Sequence, residues 1–236
     1  MAVNAVRAIR LGDEKTFLVG TDCNKYHIHL ALTDEKILVP PAKSEEEYIK
    51  KITEIILNYH IEFILPTHPV EITTLAKRRI DLNAKLFLPK YETIQKGQNK
   101  WESYKLWSAT RLPVPVTYLI KNEEDVRKAF NEIATRPIWV RGSGTPETGI
   151  GVASLPCKKV EHAINWIDHF EGWGNFIASE YLPGDNLTWL SLWNKGELIC
   201  SQGRKRIEYV IPHVSPSGIT GAPAVSHTIN REDVNE

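Results

Sequence analysis

Residues 137–152 read Pro137-Ile-Trp-Val-Arg-Gly-Ser-Gly-Thr-Pro-Glu-Thr-Gly-Ile-Gly-Val152. A short apolar, β-prone run delivers one cation, Arg141, to the head of a loop with glycines at 142, 144, 149 and 151. Glycine lets a backbone approach an anion closely and turn its N–H groups inward, and a guanidinium adds charge and a planar fork of donors. That combination suits polyphosphate. No Gly-Lys-Ser/Thr follows and no Gly-x-Gly-x-x-Gly is present, so neither a Walker loop nor a dinucleotide fingerprint is indicated. Taken alone, the stretch fits a plain hairpin as well.

Around the loop, residues 138–141 and 151–154 read as two flanking strands. Upstream, Asn99 caps a helix over 99–107, Leu112-Pro-Val-Pro115 forces an extended entry into a strand at 116–118, and Asn122 opens a helix running to about residue 134. Downstream come a helix over 160–170 and strands at 176–180, 187–193 and 197–204, the last two joined by a hairpin turn at Asn194-Lys-Gly196. The region 91–236 is therefore expected to be α+β with a largely antiparallel sheet. Residues 1–90 have another texture. Short apolar runs at 17–19, 37–39, 63–65 and 86–87 alternate with amphipathic segments, which implies a parallel sheet covered by helices. One helix is expected to open on a capping box at Ser44-Glu-Glu-Glu47 and to run through Ile56. The chain starts on a helical pattern at 2–10 with no strand before it, and 229–236 looks like the first turn of a helix, so the sequence reads as clipped at both ends.

A lysine at a helix start (Lys100), a cation before a glycine loop (Arg141), then Glu180-Tyr-Leu-Pro-Gly-Asp185 after an apolar strand form an ordered set. In that order they resemble the ATP-grasp superfamily, specifically proteins similar to the large subunit of carbamoyl-phosphate synthetase. The resemblance implies an α/β pre-ATP-grasp domain over 1–90, lacking its first strand, followed by ATP-grasp lobes over 91–236 that are incomplete at the C-terminal side. It implies that Lys100 and Arg141 contact the phosphates of ATP, and that Gly149 and Gly151 belong to a loop that closes over them. It implies that Glu180, Tyr181 and Leu182 form the hinge that recognises adenine, with Asp185 or Asn186 near the ribose. Arg206 and Ser217 would stand beside the acyl-phosphate site. ATP and Mg2+ are the implied cofactors and a small carboxylate the implied substrate. The reaction class is a carboxylate–amine or ammonia ligase working through an acyl phosphate. The family's Glu-x-Asn metal ligands follow the segment at which this sequence stops, so a non-catalytic nucleotide-binding module, or one subunit of a split ligase whose second chain supplies that part, stays open. A dinucleotide-binding reading of 1–90, with Asp22 on a ribose, lacks a pyrophosphate loop.

Composition narrows the partners. With 29 basic and 29 acidic residues the formal net charge is zero, so no global field draws the chain to nucleic acid or an anionic membrane. The three cysteines, Cys23, Cys157 and Cys200, are far apart and offer neither a disulfide framework nor a zinc site. No 18-residue apolar run and no signal sequence is seen, and a cytoplasmic protein is expected.

Overall fold

The computed structural model describes residues 2–144, 153–210 and 223–230. The chain divides into two compact units, 1–98 and 99–236.

In the first unit, α1 (Ala2–Gly12) precedes β1 (Val19–Asp22), β2 (Glu35–Leu38), α2 (Glu45–Tyr59), β3 (Phe63–Ile64), α3 (Pro69–Lys77), β4 (Lys85–Leu86) and α4 (Tyr91–Gln98). The strands run parallel, as alternation with helices predicts, but as two separate pairs, β1–β2 and β3–β4, instead of one sheet. Prolines account for their shortness. Pro40 and Pro41, Pro66 and Pro89 follow β2, β3 and β4 within three residues, and each lacks the N–H a longer ladder needs. The core is built on α2, whose Tyr48, Ile49, Ile52, Ile55 and Ile56 recur on one face and pack with Val39, Leu75 and Leu82.

Two local features of α2 depart from expectation. Ser44 occupies the N-cap but its side chain makes no capping bond, and its N–H donates to the Pro41 carbonyl, so the reciprocal capping box does not form. Two acids of that turn are drawn elsewhere: Glu45 pairs with Lys77 at 2.8 Å and Arg78 at 3.2 Å, and Glu46 with Arg78 at 2.6 Å. At the other end His60 closes the helix in the left-handed region, φ 52° and ψ 45°, a conformation that suits glycine. The variant His60→Gly is expected to raise stability by about 1 kcal/mol, read as a higher urea midpoint at unchanged slope. An unchanged or lowered midpoint would show that the imidazole makes a compensating contact.

The second unit runs α5 (Lys100–Ala109), β5 (Thr117–Ile120), α6 (Glu123–Glu132), β6 (Ile138–Gly142), β7 (Ser154–Cys157), α7 (Val160–His169) and β8 (Phe176–Glu180). It continues with β9 (Leu187–Asn194), β10 (Glu197–Tyr209) and β11 (Pro223–Ile229). All pairings are antiparallel, in a four-stranded sheet ordered β5-β8-β6-β7 and a three-stranded sheet ordered β11-β10-β9. Lys195 and Gly196 both have positive φ, the type I′ geometry that joins β9 to β10. The strand after the glycine loop lies at Ser154–Cys157, later than the 151–154 expected, and Ile229 ends a strand instead of opening a helix. The remainder of that expected helix, 231–236, lies outside the described residues.

One face of the four-stranded sheet packs on α6 and α7. Ile120, Ile138, Val140, Phe176 and Ala178 from the strands meet Val126, Ala129, Phe130, Ala163 and Ile167 from the helices. The alternation in β6 is strict, with Ile138, Val140 and Gly142 buried and Trp139 and Arg141 half-buried on the opposite face. That second face carries the candidate site.

Candidate functional site

Cross-strand register places two rows of side chains on this face. Ser154, Arg141, Ile177 and Leu119 form one row across β7, β6, β8 and β5, and Pro156, Trp139, Ser179 and Thr117 form the next. Ser179 and Thr117 share a buried hydroxyl–hydroxyl hydrogen bond of 2.9 Å.

The N-terminus of α5 is fastened to the end of β6. The Lys100 N–H donates to the Ser143 carbonyl at 2.7 Å, and the Ser143 hydroxyl donates to Asn99 Oδ1 at 2.8 Å. Asn99 Oδ1 also accepts from the Trp101 and Glu102 N–H groups, the cap that the sequence predicts. Ser143 is in turn held by its own N–H to the Asn175 carbonyl at 2.7 Å. Two residues after Arg141, this junction brings Lys100 and Arg141 into electrostatic contact.

The electrostatics of the pair are unusual for a structural contact. Burial, and then the nearby Arg141 charge, pull the Lys100 ammonium down to about 8 from its ordinary value near 10.5. Burial likewise lowers Arg141, whose Nε is enclosed without a hydrogen-bond partner. Among the described residues, neither cation has a carboxylate within ion-pair distance. Two desolvated like charges with no counter-charge are costly, and an anion held between them would satisfy both.

The remaining predicted residues fall into two groups. Glu180 is half-buried at the end of β8, and its N–H donates to the Val116 carbonyl at 2.9 Å. Tyr181 follows, its ring centroid 6.0 Å from that of Trp139, while Leu182 is 63% exposed. Ile177, the residue opposite Arg141, is three positions before Glu180, so about 10 Å of strand separates the cation row from the hinge. That is the scale of a nucleoside with its first phosphates. The second group attaches to β10. Asp185 pairs with Lys205 at 2.7 Å, Asn186 donates its amide to the Tyr209 hydroxyl at 2.8 Å, and Arg206 Nε donates to Thr188 Oγ1 at 3.2 Å. Both Asp185 and Asn186, themselves exposed, are thus engaged with β10 side chains. Gly149, Gly151 and Ser217 lie outside the described residues. Asp22, at the end of β1, accepts the Asn24 N–H at 2.7 Å. Trp139 was not among the expected site residues. Its position two residues before Arg141 on a strand was the signal that put it on the same face.

Among the described residues no cluster of three or more His, Cys, Asp or Glu side chains is arranged to hold a metal ion. The described residues therefore offer no magnesium site of their own. No helix among them is long and apolar enough to cross a membrane.

No family model and no curated protein matches the sequence. Solved structures do match by shape. The biotin carboxylase domain of Hydrogenobacter thermophilus 2-oxoglutarate carboxylase, in complex with MgADP, ADP and bicarbonate, aligns over 88% of this chain and 48% of its own, with TM-score 0.63 and 15% identity. N5-carboxyaminoimidazole ribonucleotide synthetase from Thermus thermophilus aligns over 86% and 52%, with TM-score 0.63 and 13% identity. L-amino acid ligase from Bacillus licheniformis aligns over 84% and 46%, with TM-score 0.61 and 14% identity. This chain therefore spans about half the length of the structures it resembles. At such identities the likeness is one of fold alone, the ATP-grasp fold that these structures share.

Proposed function

We propose that the second unit binds ATP, with the phosphates between Lys100 and Arg141 and the adenosine running along the sheet toward the hinge at 180–182. The observation that carries this reading is the pair of half-buried cations that have no acidic partner among the described residues, pinned together by Ser143 at the head of the glycine loop. Charge-assisted contacts from two directions would hold the roughly fourfold-negative triphosphate without a helix-terminal loop. Gly149 and Gly151 would belong to a flap over it, and Asp185 or Asn186 would approach the ribose.

The bound nucleotide would serve a carboxylate–amine or ammonia ligase, as the motif order and the fold both favour. A substrate carboxylate oxygen attacks the γ-phosphorus and ADP leaves. The amine nitrogen then attacks the acyl carbon, phosphate departs, and the nitrogen loses a proton. Arg206 and Ser217 would receive the carboxylate or the transferred phosphoryl group by charge and hydrogen bonding.

The test is equilibrium titration with a non-hydrolysable ATP analogue across pH. Lys100 must be protonated to attract the triphosphate, and its folded pKa near 8 means that the cation is lost as pH rises through that value. Affinity is therefore expected to be high at neutral pH and to fall by up to about tenfold per unit above pH 8, with proton uptake on binding. Saturable binding that is flat from about pH 7 to about pH 10 would remove Lys100 from the site, and no binding at all would end the nucleotide reading.

A further inference from the structure

We infer that the cleft between α3 and α4 in the first unit is a second ligand site, one that takes a small, free phosphate-bearing compound. It is built from residues other than the Lys100–Arg141 pair and does not depend on the nucleotide reading.

The pairing of the two helices creates the cleft. The Thr73 hydroxyl, early in α3, donates to Oε1 of Gln98, the last residue of α4, at 3.0 Å, so the last turn of α3 lies beside the first turn of α4. There a space of about 300 Å³ is lined by Ala76, Lys77, Arg79, Lys90, Tyr91 and Glu92. That volume is at the lower end of small-molecule sites. Three of the six residues are cations and one is an acid, in a chain whose net charge is zero. Each cation keeps donors to spare. Arg79 is fixed through Nη2, which donates to the Leu88 and Pro89 carbonyls at 2.6 and 2.7 Å, and its Nε and Nη1 have no partner among the described residues. Lys77 gives one ammonium donor to Glu45 at 2.8 Å, and Glu45 is itself shared with Arg78 at 3.2 Å. The Lys90 carbonyl accepts from the Thr93 and Ile94 N–H groups and so opens α4, while its side chain has no partner among the described residues. The Tyr91 hydroxyl accepts from Gln95 Nε2 at 2.8 Å, which leaves its own O–H to donate. An anchored guanidinium, two ammonium groups and a phenol are donors in search of acceptors. A phosphomonoester supplies three acceptor oxygens and a charge of about −1.5 to −2 at neutral pH. Glu92 works against it, which gives the site a residue whose removal should help.

The experiment is an amide-resolved NMR titration of the intact protein with inorganic phosphate, with glycerol phosphate and, as a control, with glycerol. Both phosphates are expected to shift residues 76–79 and 90–92 saturably, and glycerol is expected to shift none of them. Lys90→Ala should weaken both phosphates about two- to fivefold, since its side chain is exposed and has no other work to do. Glu92→Gln should tighten them by a similar factor. Arg79→Ala should weaken them more than about tenfold, because a charged hydrogen-bonding group is lost. Arg141→Ala should leave the shifts at 90–92 unchanged. Affinity should fall as salt is raised, as contacts between exposed charges require. Opposite responses to Lys90→Ala and Glu92→Gln cannot come from a general loss of folding, so they support the site even where Arg79→Ala is unstable. Saturable shifts confined to residues 100 and 141–143 would overturn the inference while the nucleotide reading stands. Absence of saturable shifts, indifference to both Lys90→Ala and Glu92→Gln, or binding of inorganic phosphate with glycerol phosphate excluded would each overturn it as well.

Discussion

Arg141→Ala is expected to lower ATP affinity by about 10- to 150-fold without destabilising the protein. A charged hydrogen-bonding group contributes roughly 1.5–3 kcal/mol where its partner is also charged, and each 1.4 kcal/mol is a factor of ten. The stability half of this expectation is the more diagnostic. Ordinarily, truncating a buried arginine strands a carboxylate and costs several kcal/mol. Here no carboxylate is within ion-pair distance among the described residues, Nε has no hydrogen-bond partner, and the guanidinium charge bears on the like-charged Lys100. Removing the guanidinium relieves a repulsion. The Lys100 pKa should accordingly move up from about 8 in the variant, an effect visible in an NMR titration of its side chain. Arg141→Lys keeps the charge but loses the fork, and should retain affinity intermediate between the two. A variant that unfolds with a markedly lower urea midpoint, at unaltered ATP affinity, would make Arg141 a structural cation with a partner outside the described residues.

How far the sequence foretold this site depends on the kind of signal each residue left. Arg141 was a candidate because a cation between an apolar run and glycines is chemically out of place, Lys100 because it opens a helix in the order that the resemblance requires, and the Asn99 cap was legible because capping is a local rule. The antiparallel lobe followed from the short strands read at 138–141 and 176–180 and from the hairpin turn at Asn194-Lys-Gly196. What escaped depends on distant partners. Nothing local says that Asn186 meets Tyr209 or that Asp185 meets Lys205, because those pairs arise from the β9–β10 register. The split of the parallel strands into two pairs was written in the prolines but needed the pairing to be recognised. Trp139 was read as part of an apolar run, although strand alternation puts it with Arg141 and not with Ile138 and Val140. The strand 223–229 is exposed at five of its seven residues and has no apolar periodicity to announce it.

Phe176→Ala should cost about 3–5 kcal/mol, a third or more of the stability of an ordinary domain, because the ring is fully buried and the space around it cannot close. Phe176 lies between Gly142 on β6 and Ile120 on β5 in register, and its ring packs near Phe170 at 6.1 Å. Gly172 is shaped to it: a Cβ there would come within 2.2 Å of the ring, so the backbone already lies against one edge. With a urea slope of about 2 kcal/mol/M the midpoint falls by roughly 1.5–2.5 M. Phe176→Leu, which keeps most of the volume, should lose far less. The consequence reaches the site through the backbone. Asn175, one residue before Phe176, supplies the carbonyl that holds Ser143, and Ser143 supplies the carbonyl that holds Lys100. Loosening β8 at Phe176 therefore slackens the fastening of α5, and ATP affinity should fall even in conditions where the variant remains folded. Arg141→Ala and Phe176→Ala then separate the two roles in one pair of measurements: the first loses ligand and keeps stability, the second loses stability and, through Ser143, part of the ligand. If Phe176→Ala instead binds ATP at full affinity while folded, the junction at Ser143 holds Lys100 without help from the core, and the site is more autonomous than its hydrogen bonds suggest.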